Sequence, residues 1–256
     1  MYKYLRIGIL LFILLTVAVS AWQTQTKLRG WKSTLQVAVF PINADGSPAS
    51  QRYIAALDAS RVEAIGDYLG EQAKHHGLAM LYPVRISLGP SILRLPPPQP
   101  YGGGILNAMR WSLEMRWWAW RNTPATAIRP DVRLYLLYYD PATRAVVPDS
   151  AGLAKGQLGI AHLFASPRQH GSNLVVATHE LLHTLGATDK YDQGNQQPRF
   201  PEGYAEPERK PRWPQQMAEI MAGRIPVDET HANIPENLDE TLIGPQTARE
   251  IGWLKN

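Results

Sequence analysis

The stretch HELLHTLGATDKYD, residues 179–192, constrains the chain path more than any other part of this sequence. It continues the apolar segment NLVVAT, and the whole reads as one helix, with Ser172 or Asn173 as its cap and Gly186 as the residue that lets the chain turn out of it. Four residues advance a helix by about 400°, so His179 and His183 stack on one face, where both imidazoles can reach one ion, while Glu180 is turned to the side. Zinc lowers the pKa of a bound water to about 7, and a carboxylate beside it can take that proton and pass it to a leaving amine. Glu180 suits this task as general base and acid.

A catalytic zinc site takes three protein ligands and leaves the fourth position to water. Asp189 is the natural third ligand, because a helix ending at Gly186 in a positive-φ conformation can reverse and bring back a side chain three residues further on. Glu219 is the main rival, since a downstream glutamate completes the site in another class of zinc protease. Asp192 is a lesser one, better placed to receive an imidazole N–H than to bind metal. The competing reading is an apolar helix whose histidines are satisfied in the core. It leaves Glu180 as an unpaired buried carboxylate, which is costly.

The chain has no cysteine, which removes disulfides and thiolate ligands together and leaves histidine and carboxylate for zinc. Its 256 residues, 45% hydrophobic and 19% charged, are enough for a globular core without staples. The balance of 26 basic against 22 acidic residues is too small and too scattered for a nucleic-acid footprint, so no nucleic-acid partner is expected.

Lys3 and Arg6 precede a continuous apolar run, residues 7–22, with no polar face. Its length lies between a signal peptide and a spanning helix, and Val19 and Ala21 form a small-residue cleavage pattern. Residues 1–27 are therefore read as a membrane anchor or a cleaved signal peptide with its linker. The basic flank puts the chain beyond Trp22 outside the cytoplasm, periplasmic or extracellular, and either anchored or secreted.

Downstream, strands are expected at residues 33–43, 83–88, 131–140 and 156–166, the last broken by glycines as on a sheet edge. A helix capped by Asp58 or Ser60 carries Val62, Ile65, Tyr68 and Leu69 on one stripe and ends at Gly77. His75 and His76 in its last turn point about 100° apart, too divergent to share a metal and well placed against the negative helix end. The proline and glycine run at 95–104 is a loop. It leads into a tryptophan-rich helix, residues 105–122, whose bulk reads as core or membrane-facing packing. His162 and His170 read as surface histidines, and His231 carries no signal.

Taken together, His179, Glu180, His183, Gly186 and Asp189 resemble the extended zinc motif of metzincin metallopeptidases, in the variant ending on aspartate found in snapalysin-type enzymes. The usual third histidine is absent. Tyr191 and Asp192 continue the motif in a way similar to immune-inhibitor-type secreted metallopeptidases, and AEIMAG, residues 218–223, resembles the Met-turn. The resemblance implies an α+β fold, with a twisted mixed sheet, a backing helix and an active-site helix in residues 28–186. A small irregular subdomain, residues 187–256, would supply the third ligand, Met221 beneath the ligands, and a closing helix. It also implies that residues 156–166 form an antiparallel edge on which a peptide or protein substrate adds its own strand. The expected function is a zinc-dependent endopeptidase, with His179, His183 and Asp189 as ligands and Glu180 as base. Two alternatives share these residues: a zinc hydrolase of a non-peptide amide or ester, and a catalytically silent zinc-stabilised binding module tethered to a membrane.

Overall fold

The structure, a computed structural model, describes residues 28, 30–100, 104–153 and 157–255. The apolar run at 7–22 lies outside the described residues. Among the described residues no helix is long and apolar enough to cross a membrane.

Strand β1 (Leu35–Asn43) is almost wholly buried, as expected of a strand covered on both sheet faces. Along it Val37 and Val39 enter one apolar cluster while Ala38, Phe40 and Ile42 enter another, the period-two alternation of a strand. A first helix, α1 (Pro48–Ala55), comes next, unexpected from the sequence although Ser47 caps it by accepting from the Ser50 N–H at 3.0 Å and Pro48 stands in its first turn. Helix α2 (Ala59–His75) has Asp58 as its cap, and its expected stripe is buried. His76 Nε2 lies 2.7 Å from the Ile243 carbonyl oxygen, so this histidine ties α2 to the end of the chain.

Strand β2 (Val84–Leu88), helix α3 (Gly104–Asn122), strand β3 (Val132–Tyr139), the short β4 (Ala151–Leu153) and β5 (Leu158–Phe164) complete a mixed five-stranded sheet of order β2-β1-β3-β5-β4. β1, β2, β3 and β5 are parallel, with Val37 opposite Val132 and Tyr135 opposite Ile160. Only β4 is antiparallel, pairing Gly152 with Gly159. Sheet and helices agree with the α+β expectation, but the expected edge does not survive. The strand within 156–166 is interior, held between β3 and β4, and β4 is the edge. Three residues carry too little periodicity to be read as a strand.

Helix α4 (His170–Leu185) crosses one face of the sheet together with α1 and α2. It starts earlier than either expected cap: Gln169 occupies the cap position with no side-chain bond. Asn173 is instead spent on β5, donating to the Phe164 carbonyl at 2.8 Å and accepting from its N–H at 3.2 Å. Gly186 ends the helix with φ at 105°, the left-handed conformation expected of it. α3 covers the opposite sheet face through Trp111, Met115, Trp118 and Ala119.

Beyond Gly186 the chain is irregular, with short pairs formed by β6 (Ala218–Glu219) and β9 (Thr241–Leu242) and by β7 (Ile225–Pro226) and β8 (Ala232–Asn233), then a last helix, α5 (Pro245–Glu250). Ile220, Met221, Ile243, Ile251 and Trp253 join the same apolar cluster as α2 and α4. The Trp31 indole N–H donates to the Ile251 carbonyl at 2.8 Å, fastening this region to the start of the described chain.

Candidate metal centre

His179 and His183 project from α4 with their rings 4.6 Å apart. Each ring has one nitrogen committed: His179 Nδ1 lies 2.9 Å from the Ile220 carbonyl oxygen and His183 Nδ1 2.9 Å from that of Ala187. A carbonyl oxygen only accepts, so both protons belong on Nδ1 and both Nε2 atoms present lone pairs. These lone pairs meet. The two Nε2 atoms stand 3.0 Å apart, and Asp189 Oδ1 stands 3.2 Å from the first and 3.0 Å from the second.

With both imidazoles neutral, three acceptors thus converge, and Asp189 Oδ1 is buried without a hydrogen-bond donor. Such a triangle is repulsive unless positive charge, a proton or a metal cation, sits within it. Donors bonded at about 2.0–2.1 Å to one tetrahedral ion stand about 3.4 Å apart, close to the spacing observed. Burial holds the His179 imidazolium down, but Asp189 and Glu180 outweigh it and push its pKa up to about 9. Burial likewise raises Asp189, yet the two imidazoles hold its carboxyl well below the usual carboxylate range. Both directions measure the attraction of this cluster for positive charge.

Glu180 completes the cluster: His179, Glu180 and His183 offer ligand atoms within 4.8 Å of one another, enough to hold a metal ion. Its side chain is buried, and Oε2 has no partner. Burial raises its carboxyl, the two imidazoles pull it down and Asp189 raises it again, leaving a pKa of about 6. A free oxygen on a buried acid that titrates near neutrality is equipped to take and return a proton.

The two rival acids lie elsewhere. Glu219 is fully buried and saturated: Oε1 accepts from Gly244 N–H at 3.1 Å and the Thr247 hydroxyl at 2.6 Å, and Oε2 from the Met221 and Ala222 N–H groups at 2.7 and 3.2 Å. It is a clamp on the turn at 219–223, whose Ile220 carbonyl orients His179. Asp192 is exposed and folds its own turn, accepting from Gly194 and Asn195 N–H. The role foreseen for it, holding an imidazole N–H, falls to the Ile220 and Ala187 carbonyls. Met221 is fully buried within the clamped turn.

His162 and His170 are half-buried rather than on the surface. His162 Nδ1 lies 2.9 Å from the Tyr139 hydroxyl on the α3 side of the sheet, and His170 Nδ1 3.1 Å from that of Tyr53. His231 is exposed against Asp228.

Two features at the centre have roles that the sequence alone leaves unassigned. Tyr191 faces the cluster with its ring 6.5 Å from that of His179; burial first, then Asp189 and Glu180, push its hydroxyl up to about 12, so it keeps its proton. Gly152 on β4 passes directly over α4, where a Cβ would collide with the His183 Cβ and stand 2.8 Å from the Glu180 carbonyl oxygen. This glycine lets the sheet edge lie against the centre. Beside the cluster opens a cavity of about 220 Å³ with Val175, Val176 and Ile234 on its walls, Tyr191 and Glu180 on the side of the centre, and Arg224.

No known protein-family model matches the chain, and no curated protein is similar to it.

Proposed function

We propose that this chain is a zinc-dependent endopeptidase of the metzincin type, with His179, His183 and Asp189 as ligands and Glu180 as general base and acid. The observation that carries the reading is the convergence of two lone-pair imidazole nitrogens and one donor-less carboxylate oxygen beside a second buried carboxylate with a free oxygen. Two imidazoles and a carboxylate are a donor set suited to zinc. When bound, zinc would supply Lewis acidity and an acidic water. Glu180 Oε2 takes a proton from the attacking water and returns it to the leaving amine. The Tyr191 hydroxyl, protonated at neutral pH, serves as a donor to the oxygen on which charge develops.

A peptide, rather than a small ester, is favoured as substrate by β4. Among the described residues this strand pairs on one side only, and it runs against the zinc helix at Gly152. Its outer backbone groups can receive an extended chain as an added strand and lay it across the centre. The reading places the catalytic part outside the cytoplasm, anchored through residues 1–27 or secreted after their removal.

The test is metal analysis of the purified chain together with hydrolysis of a peptide library, for wild type and Glu180→Gln. The expected result is one zinc per chain in both and turnover reduced about 100-fold or more in the variant. Equal turnover in the two would remove Glu180 from its assigned role, and a chain without bound metal would end the proposal.

A further inference from the structure

Helix α3 is apolar on two opposite faces, and among the described residues only one of them is covered. Trp111, Met115, Trp118 and Ala119 pack on the sheet, while Ile105, Leu106, Met109, Leu113, Trp117 and Trp120 are 58% to 80% exposed. At about 100° per residue these six fall within a sector of roughly 120°, centred nearly opposite the buried stripe. The exposure continues into the flanking loops at Leu93, Leu95 and Ile128. Nine of the fourteen large exposed hydrophobic residues described thus fall within residues 93–128, a concentration that scattered surface residues do not produce.

The charge carried by this segment is predominantly basic. Residues 93–129 contain five arginines, Arg94, Arg110, Arg116, Arg121 and Arg129, against a single acid, Glu114, which is paired with Arg110 at 2.7 Å. Tryptophan and aliphatic side chains flanked by arginine suit the boundary between acyl chains and anionic headgroups. The helix is not apolar enough to span, so its fit is to lie in the plane of that boundary.

That a bilayer is within reach rests on the reading of residues 7–22 as a retained membrane anchor. The apolar run ends at Trp22, and Leu28 is already packed in the apolar cluster on the α4 side of the sheet, leaving residues 23–27 between them. Five residues extend at most about 18 Å, comparable to the radius of a domain of this size, so a tethered domain stays at the membrane surface. The segment leaving α3 returns to the start of β1, where Asp131 N–H donates to the Gln36 carbonyl at 2.7 Å.

We infer that the exposed face of α3 docks on an anionic phospholipid bilayer, so that the domain lies on the membrane in a fixed orientation instead of swinging from a tether. Docking holds the α4 side, with the metal centre, on the far side of the sheet from the lipid. The orientation would select substrate segments that stand off the membrane by the depth of the sheet and its covering helices.

The absence of cysteine makes the test clean. Single cysteines are introduced at Leu106→Cys and Leu113→Cys on the exposed face, and at Glu63→Cys on exposed α2 as a reference. The full chain is labelled with an environment-sensitive fluorophore and reconstituted into vesicles of phosphatidylcholine with phosphatidylglycerol or of phosphatidylcholine alone. The expected result is a blue shift, quenching by brominated lipid and several-fold protection from aqueous iodide at 106 and 113 but not at 63, stronger with phosphatidylglycerol. Iodide access at 106 and 113 equal to that at 63 overturns the inference. Burial of both probes in vesicles without quenching by brominated lipid also overturns it: with self-quenching that grows with the protein-to-lipid ratio it assigns the face to a second copy, and without such self-quenching to residues 1–27.

Discussion

Glu250, in the last helix, accepts from the Lys190 ammonium at 2.7 Å and from the Thr188 N–H and hydroxyl at 2.9 and 3.0 Å, so the loop that presents Asp189 is fastened to the end of the chain. Lys190 is buried and would be left without its carboxylate on truncation of Glu250. Removing one partner of a buried pair typically costs about 3–5 kcal/mol. Glu250→Ala is therefore expected to lower stability by about 3 kcal/mol. It should also weaken metal affinity about tenfold, as loss of an orienting contact does. Chelator competition and urea unfolding measure the two effects. An unchanged metal affinity would show that the loop holds Asp189 without this fastening.

Asp189 and Glu219 separate by experiment as they do in space. Asp189→Asn is expected to lose metal affinity by about 100-fold or more while the fold persists, because the affected oxygen has no donor to lose. Glu219→Gln sets an amide N–H₂ against N–H or O–H donors that the carboxylate had satisfied, at a cost of about 2–3 kcal/mol. Its metal affinity, measured on the folded protein, should change far less than that of Asp189→Asn. The reverse pattern would reinstate Glu219 as the third ligand.

What could be read from the sequence was local. The helical repeat stacks His179 and His183 without outside help, and Gly186 states the turn that brings Asp189 back three residues later. Glu219 could not be judged in that way, because the donors that saturate it include Gly244 and Thr247, far along the chain. The short edge β4 has no pattern to detect, and the meaning of Gly152 resides in its contact with α4, more than 25 residues downstream. Asn173 looked like a cap because caps and strand contacts draw on the same side chain. The two apolar faces of α3 were visible as composition, but which of them the sheet covers is a tertiary fact.

His162 titrates on the opposite side of the sheet from the centre. Burial, opposed by Asp149 and aided by Arg144, lowers its pKa from 6.5 to about 4. The unfolded chain therefore binds a proton that the folded chain refuses between those values, and stability falls as pH drops from about 6.5 to about 4 and then levels. The loss is on the order of 2 kcal/mol, discounted because the ring is only partly shielded. His162→Gln removes the titration and leaves an acceptor for the Tyr139 hydroxyl. With chelator present in both samples, the urea midpoint should fall less between about pH 6.5 and about pH 4 in the variant than in the wild type. Equal pH slopes would mean that His162 is protonated freely in the fold.

Arg224 lines the cavity beside the centre, and among the described residues no hydrogen-bond or ion-pair partner claims its guanidinium. A cavity with Val175, Val176 and Ile234 on its walls and a free arginine suits a substrate group with an apolar stem and a carboxylate at its end. A hydrogen bond to a charged partner contributes about 1.5–3 kcal/mol, which corresponds to roughly 10- to 100-fold in kcat/KM. The expected outcome is that peptides with glutamate near the scissile bond are cleaved faster than their leucine or lysine counterparts, and that Arg224→Leu erases or inverts the order. Amidated and free-acid peptides distinguish an acidic side chain from a chain-terminal carboxylate as the group received. Since Arg224 is no part of the metal set, zinc content should be the same in the variant. A cleavage profile that Arg224→Leu leaves untouched would show that the guanidinium does not meet the substrate.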